Sequence, residues 1–316
     1  MTPLVSVCMT TYNHEKYIAH AIESVLCQQT DFGVEVVIGE DCSTDNTLAI
    51  CRDYEARYPD RVRVVTSQTN VGMHANYRRT IEACRGEYVA MCDGDDWFSD
   101  ENKLHKQIVE LTRTGATMCY TRSERRADDG SVIYPTGRLH TTFNEMLVLN
   151  TAENCTVVAR RDLILRYYAE VQPETKGWLT DDLPMWLWFS ARQKITAIDC
   201  VTAVHRVLAT SVSHSRQWQK QLDFCYSLDS IMLWFDENYN NNSLHHFLSR
   251  RRQNRALWLL SYNGSVAQYI KLWWQTCREY PHLFLNISPY GLFVKKVLWR
   301  MWLKSSSNLL EELFFI

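Results

Sequence analysis

Three carboxylates fall within four positions, at Asp93, Asp95 and Asp96, directly after the apolar run Tyr88-Val89-Ala90-Met91-Cys92. The run is too short for a helix and reads as a buried strand. Side chains alternate along extended backbone, so Asp93 and Asp95 are expected on the same side of the strand's end. Two carboxylates held together repel unless a cation lies between them. Mg²⁺ or Mn²⁺ suits that position, since both prefer oxygen ligands and keep positions open for phosphate oxygens. Gly94 lets the chain turn there and lets a ligand come close. The segment points to a metal-bridged diphosphate at the carboxyl end of a central strand. It also suits a plain acidic turn before a helix near Glu101, capped by Ser99 or Asp100.

The elements that must position these groups alternate in type. Leu4–Met9, Glu35–Gly39, Val62–Val65 and Tyr88–Cys92 read as strands. Between them run helical patterns: Tyr17 to Leu26, Leu48 to Glu55, and about Ala75 to Cys84. This order implies an α/β fold with a Rossmann-like, mostly parallel central sheet covered by helices. Ligands on such sheets bind outside the carboxyl ends of the strands. Thr11, Asp41 and Asp93 each follow a strand and are expected to converge on one crevice. Further strands are expected at Thr117–Tyr120, Thr156–Ala159 and Ile195–Asp199, with a hairpin or surface loop between Arg125 and Gly137. Thr180-Asp181-Asp182 precedes Leu183-Pro184 and the apolar stretch Met185–Ala191, which puts an acidic pair near a helix N-terminus. One of the two would then be an N-cap. After residues 215–220 helical periodicity, aromatics and basic clusters take over.

Composition bounds the rest. With 316 residues, 46% hydrophobic and 22% charged, the chain can bury a sizeable core. Its net charge of −2 gives no argument for nucleic acid as a partner. The start Met1-Thr2-Pro3-Leu4 lacks the basic and apolar regions of a signal peptide, and no stretch is long and apolar enough for a membrane span. The 11 cysteines are scattered with no C-x-x-C pair, which argues against structural zinc and fits a reducing cytoplasm. No G-x-G-x-x-G is present, so an NAD enzyme is not indicated.

Four motifs in order carry a family resemblance: Val5-Ser6-Val7-Cys8-Met9-Thr10-Thr11-Tyr12-Asn13, Val36 to Thr47, Asn70-Val71-Gly72, and Cys92-Asp93-Gly94-Asp95-Asp96-Trp97. Over roughly residues 4–215 the chain resembles the family 2 glycosyltransferases of glycosyltransferase A fold. It looks most like bacterial members that build capsule, lipopolysaccharide O-chains or other surface glycans. The resemblance implies a catalytic domain over 1–215, with a donor half at 1–115 and an acceptor half at 116–215, followed by a helical region at 216–316. It implies a nucleotide-diphosphate sugar as donor, a UDP-sugar first among the candidates, and Mn²⁺ or Mg²⁺ as cofactor.

The resemblance also assigns roles residue by residue. Asp41, Thr11, Tyr12, Asn13 and Asn70 would bind the donor nucleotide. Asp93 and Asp95 match the family's DxD pair: Asp95 would ligate the metal, and Asp93 with Gly94 would face the ribose or a metal-bound water. Asp182 matches the general base, next to Asp181 on the acceptor side. Ser211-Val212-Ser213-His214 resembles a closing motif whose histidine can reach the metal or the diphosphate. Trp97 and Trp178 read either as platforms for acceptor sugar rings or as core aromatics. The Gln-x-x-Arg-Trp motif of processive members is missing, which argues for one sugar per acceptor. A sugar nucleotidyltransferase and a non-catalytic nucleotide-sugar-binding protein are the alternatives. The former would want a Gly-rich basic loop where Thr10-Thr11-Tyr12-Asn13-His14 stands.

Near the C-terminus Val294, Val297, Leu298, Met301 and Trp302 share one helix face, with Lys295, Lys296, Arg300 and Lys304 on the other. Such a basic amphipathic stripe suits the inner face of the cytoplasmic membrane, where a lipid-linked acceptor would lie. It would equally suit packing on the catalytic domain, or on a second copy in a homodimer.

Overall fold

The computed structural model describes residues 3–135, 138–208 and 217–263, with scattered positions between 268 and 278. The expected closing motif at 211–214, with His214, and the basic stripe at 294–304 lie outside the described residues.

The first half follows the sequence closely. Strands β1 (Val5–Thr11), β2 (Val34–Glu40), β3 (Val62–Val65) and β4 (Tyr88–Met91) alternate with helices α1 (Ile18–Leu26), α2 (Thr47–Arg57) and α3 (Met73–Ala83). The four strands lie parallel in the order β3-β2-β1-β4. β1 and β2 are buried on both faces, which is why they read as continuous apolar runs. α1 is amphipathic and turns Ile18, Ala21, Ile22 and Val25 onto the sheet.

The second half comprises β5 (Trp97–Phe98), α4 (Lys103–Thr114), β6 (Met118–Ala127), β7 (Val132–Pro135), α5 (Phe143–Val148), β8 (Val158–Arg160), α6 (Arg161–Val171), α7 (Asp182–Arg192) and β9 (Ile195–Val207). Here the sheet becomes mixed. β8 is antiparallel to both β4 and β6, β6 runs parallel to β9, and β5 pairs antiparallel with β9 at the edge. β7 folds back on β6 as a hairpin, as the Arg125–Gly137 segment suggests. Two helices, α8 (Trp218–Tyr239) and α9 (His245–Asn263), follow.

Alternation along the strands divides the core in two. Cys8, Val37, Val89 and Met91 face α3, α6, α7 and α8, whereas Val7, Met9, Ile38 and Ala90 face α1, α2 and α4. α7 is buried from Leu183 through Phe189, so its two tryptophans, Trp186 and Trp188, are central to the first layer. α8 covers α7 and adds Ile231, Met232 and Phe235 to the same cluster. No helix among the described residues is long and apolar enough to cross a membrane.

Candidate active site

The carboxyl ends of β1, β2 and β4 open on one side of the sheet, and hydrogen bonds lock their loops to each other. Asn13, in left-handed backbone at φ 57°, accepts at its side-chain oxygen from the Thr44 amide at 2.8 Å, while its own amide donates to Ser43 Oγ at 3.0 Å. Cys42 is also left-handed, at φ 59°. The Glu40 carboxylate holds that turn by accepting from the Ser43 and Cys42 amides and from Thr66 Oγ1. Burial pushes the Glu40 carboxyl up, but these bonds outweigh it and leave it below its usual range. Tyr12, next to Asn13 of this knot, is 43% exposed.

Asp41 is buried and fully engaged. Its oxygens accept from the amides of Val71 at 2.9 Å and Gly72 at 3.0 Å, with Arg79 Nη2 at 3.5 Å. Its carbonyl accepts from Asn70 Nδ2 at 3.0 Å. Asp41 and Asn70 thus clasp the second loop to the third. The Asp41 carboxylate is oriented by one backbone amide on each oxygen. Arg79 also donates to the Glu40 carbonyl at 2.8 Å, which ties α3 to the end of β2.

The acidic segment is a turn, not an extension of β4. The Asp96 amide donates to the Asp93 carbonyl at 3.0 Å, so strand alternation does not set the carboxylates' directions. Asp93 points toward α3 and the 3₁₀ turn Asn154–Thr156. It accepts from Thr10 Oγ1 at 2.6 Å, from Asn154 Nδ2 at 2.8 Å and from Tyr77 Oη. Asp95 points elsewhere: His14 Nε2 lies 4.0 Å from its Oδ2, and no side chain among the described residues hydrogen-bonds its carboxylate. Burial, then the charges of Asp96 and Asp93, push the Asp95 carboxyl well above the usual carboxylate range. Gly94 is required by packing. A Cβ there would stand 2.6 Å from Thr11 Oγ1 and 2.8 Å from Thr11 Cβ. The Thr11 hydroxyl is buried with no hydrogen-bond partner, an orphan at the floor of the crevice.

Asp96 is structural. It accepts from the Arg206 amide at 2.8 Å and faces His205 Nδ1 at 3.2 Å, tying the turn to β9. Burial alone would lower the His205 pKa, but Asp96 raises it to about 10. The Arg206 guanidinium lies over both Tyr17, at 4.6 Å, and Trp97, at 4.7 Å. Trp97 also packs against His20 at 5.0 Å and lies under Arg126 at 5.9 Å, so its ring is shared between a histidine and two arginines.

The second acidic pair approaches through α3. Asp181 is 4% exposed, and its Oδ1 meets Nδ1 of His74, whose Nε2 lies 2.7 Å from the Trp178 carbonyl. Asp182, the first residue of α7, uses Oδ1 to accept from the Leu183 amide at 2.6 Å and from Thr180 Oγ1. Its other oxygen takes no hydrogen bond from the described residues. Trp178 is 6% exposed and packs edge-on against Trp234 at 5.7 Å. Of the two readings of Trp178 its burial fits the core aromatic. One expectation is corrected: Asp181 is enclosed by His74 rather than open to an acceptor.

Among the described residues no three His, Cys, Asp or Glu side chains gather closely enough to enclose a metal ion. Asp95 nonetheless offers an uncommitted carboxylate in a turn of mutually repelling charges. That donor set fits an ion taking one protein carboxylate and filling its other positions with phosphate and water, as Mg²⁺ does. The contributions of His14, His74, Tyr77, Asn154 and His205 went unread in the sequence. Of these only His14 directly follows a recognised motif, the one ending at Asn13.

Residues 6–167, about half the chain, match the family described as Glycosyl transferase family 2. The putative teichuronic acid biosynthesis glycosyltransferase TuaG of Bacillus subtilis (strain 168) is 36% identical over 130 residues, 41% of this chain and 50% of TuaG. The chain spans about half the length of the curated relatives it matches. S. aureus TarS 1–349, solved in complex with UDP-GlcNAc, is similar with a TM-score of 0.54 at 17% identity, covering 94% of this chain and 91% of that one. The mannosyltransferase PcManGT from Pyrobaculum calidifontis, in complex with GDP-Man and Mn²⁺, has a TM-score of 0.53 at 15% identity, covering 96% and 89%. At such identities the likeness is one of fold, the glycosyltransferase A fold. The matched segment runs from β1 into α6 and contains the loops after β1, β2, β3 and β4 but not the acidic pair before α7, and because it spans half the chain, the chain belongs to glycosyl transferase family 2.

Proposed function

We propose that the chain is an inverting, metal-dependent, non-processive glycosyltransferase. It moves a sugar from a nucleoside-diphosphate sugar, a UDP-sugar first among the candidates, to a hydroxyl of a glycan or lipid-linked acceptor in bacterial surface polysaccharide synthesis. One observation carries the reading: α3 holds both acidic motifs, Asp93 through Tyr77 and Asp181 through His74, beside the locked loops of β1 and β2. A leaving-group site and a separate carboxylate are what transfer by in-line displacement requires.

In this reading Asp182 takes the proton of the acceptor hydroxyl on its free oxygen. The acceptor oxygen bonds to the anomeric carbon as the bond from that carbon to the diphosphate oxygen breaks, and the nucleoside diphosphate leaves. Attack from the face opposite the leaving group inverts the anomeric carbon. Bound at Asp95, a divalent cation would neutralise the diphosphate as a Lewis acid. Tyr12 and the orphan Thr11 hydroxyl suit the nucleoside. His14, 4.0 Å from Asp95, suits the phosphates. Residues 1–115 then form the donor half, 116–215 the acceptor half and 216–316 a helical extension. A peripheral position at the inner face of the membrane is supported by the composition of the C-terminal stripe.

A donor panel of UDP-glucose, UDP-N-acetylglucosamine and GDP-mannose with Mn²⁺, scored by release of nucleoside diphosphate, tests the reading. Asp95→Ala should lose donor turnover and Asp182→Asn should lose transfer while still binding nucleotide. Wild-type turnover retained by both variants would overturn the assignment.

A further inference from the structure

His74 opens α3, and both of its ring nitrogens meet acceptors: the Asp181 carboxylate and the Trp178 carbonyl. A neutral imidazole has one N–H, so donation to both needs the imidazolium form. Burial lowers the His74 pKa, but the bond and charge of Asp181 raise it above its ordinary value. The other groups that face the ring are Glu174 of the 3₁₀ turn Pro173–Thr175, itself paired with Arg78 at 2.6 Å, and Asp182 beyond Asp181. Asp181 depends on this contact. Its Oδ2 is buried with no hydrogen-bond partner, and so are the hydroxyls of Tyr167 and Tyr168 on α6. The ring thus grips the chain twice within four residues, at Trp178 and at Asp181, immediately before Asp182.

We propose that His74 is a positioning residue for sugar transfer. It clamps the turn from Trp178 to Asp181 onto α3 and so fixes where the free oxygen of Asp182 stands relative to the donor site. This rests on the reading of Asp182 as the base. Both hydrogen-bond partners of the ring, Asp181 and Trp178, lie on the acceptor side rather than in the donor loops. Loss of the clamp should therefore lower kcat and leave donor affinity alone. Of its two contacts, the one with Asp181 matters more, because it is made to a carboxylate, whereas the other is made to a neutral carbonyl.

Two amide variants of the full chain separate the contacts. In His74→Asn the amide nitrogen stands near the Nδ1 position and can still donate to Asp181. In His74→Gln it stands near the Nε2 position and keeps Trp178 instead. Turnover of UDP-glucose, UDP-N-acetylglucosamine and GDP-mannose is measured with Mn²⁺ and water as acceptor, alongside calorimetric binding of UDP and GDP. The expected result is nucleotide Kd within twofold of wild type for both variants. For kcat we expect a fall of tenfold or more in His74→Gln and of only a few fold in His74→Asn. If the wild type turns over and His74→Gln matches its kcat, the positioning role is wrong while the transferase reading stands. Kd weakened as much as kcat also overturns it, since that marks a general structural loss. If wild type releases no nucleoside diphosphate from any donor, the transferase reading fails and takes the inference with it. Should both variants fail to fold, nitrogen NMR of the wild-type ring decides. Protonation at both nitrogens at neutral pH upholds the clamp, and a neutral ring refutes it.

Discussion

His74 and Tyr77 stand three residues apart on α3, and the first holds Asp181 while the second holds Asp93. Residues at that spacing share a helix face, with an axial offset of about 4.5 Å from three rises. One rigid turn therefore sets the relation between the acidic turn after β4 and the acidic pair before α7. The same helix reaches the end of β2 through Asn76, whose Nδ2 donates to the Gly39 carbonyl at 2.7 Å, and through Arg79, which donates to the Glu40 carbonyl.

Tyr77→Phe should expose how much Asp93 depends on that helix. The phenol donates to Asp93 and accepts from Asn154 Nδ2 at 2.6 Å, so its loss removes one bond to a carboxylate and leaves Asn154 and Thr10 in place. A hydrogen bond to a charged group contributes about 1.5–3 kcal/mol. We expect metal-dependent nucleotide binding to weaken about tenfold, equivalent to roughly 1.4 kcal/mol, by titration calorimetry. An unchanged Kd with a lowered melting temperature would make Tyr77 a core prop only.

Gly94→Ala tests the crowding at the acidic turn. The new methyl would meet Thr11 Oγ1 at 2.6 Å and Ile18 Cδ1 at 3.0 Å, both fixed by the core. Overpacking of this kind costs about 1–3 kcal/mol. The strain must also shift Thr11 or the acidic turn, so nucleotide affinity should fall together with the unfolding midpoint. Full affinity in a stable variant would show that the turn has room the packing does not suggest.

Two tryptophans distinguish core from rim. Trp178→Ala should cost about 3–5 kcal/mol, because it opens a cavity against Trp234 and Phe235. Trp97→Ala, on a two-residue edge strand, should cost less and should release Arg206 from one of its two aromatic partners. Urea unfolding of both variants checks the order. Equal losses would contradict the placement of Trp178 in the core.

The legibility of the chain follows from how far each feature reaches. β1 to β4 were readable because parallel strands buried on both faces leave apolar runs. β6 was read only to Tyr120, because its continuation Thr121 to Ala127 carries arginines, a glutamate and a serine that resemble a loop. β9 was read only to Asp199 because its exposed segment Asp199–Val201 interrupts the pattern, and the register with β6 shifts at that level. β5 is too short to leave a period. Asp93, Asp95 and Asp182 stood out in the sequence because motifs are local. His74 did not, because its partner lies 107 residues away, and Asn154 reaches Asp93 across 61. The direction of Asp93 was misjudged for a related reason: alternation ends where Asp96 closes a turn.

Lys103 gives a prediction whose sign follows from burial. It is fully buried, with Nζ 2.6 Å from Gln107 Oε1, 3.4 Å from the Thr156 carbonyl and 4.4 Å above the Phe98 ring. Gln107 in turn donates to the same Thr156 carbonyl at 2.9 Å, so the pair props the turn that carries Asn154 to Asp93. No carboxylate bonds to the ammonium, and burial lowers its pKa to about 8. In the unfolded chain a lysine titrates near about 10.4. Below pH 8 both states hold the proton. Between the two values the unfolded state binds a proton that the folded state lacks, so stability rises with pH across that window and is lost again as pH falls toward 8. The full span amounts to roughly 2–4 kcal/mol at about 1.4 kcal/mol per pH unit. Lys103→Met cannot titrate, although it leaves Gln107 Oε1 without its donor. The unfolding free energy of wild type minus that of Lys103→Met, measured in urea from pH 7.5 to 10, should therefore climb with pH whatever its starting value. A flat difference would mean that the buried ammonium keeps its proton throughout, held by Gln107, Thr156 and the Phe98 ring.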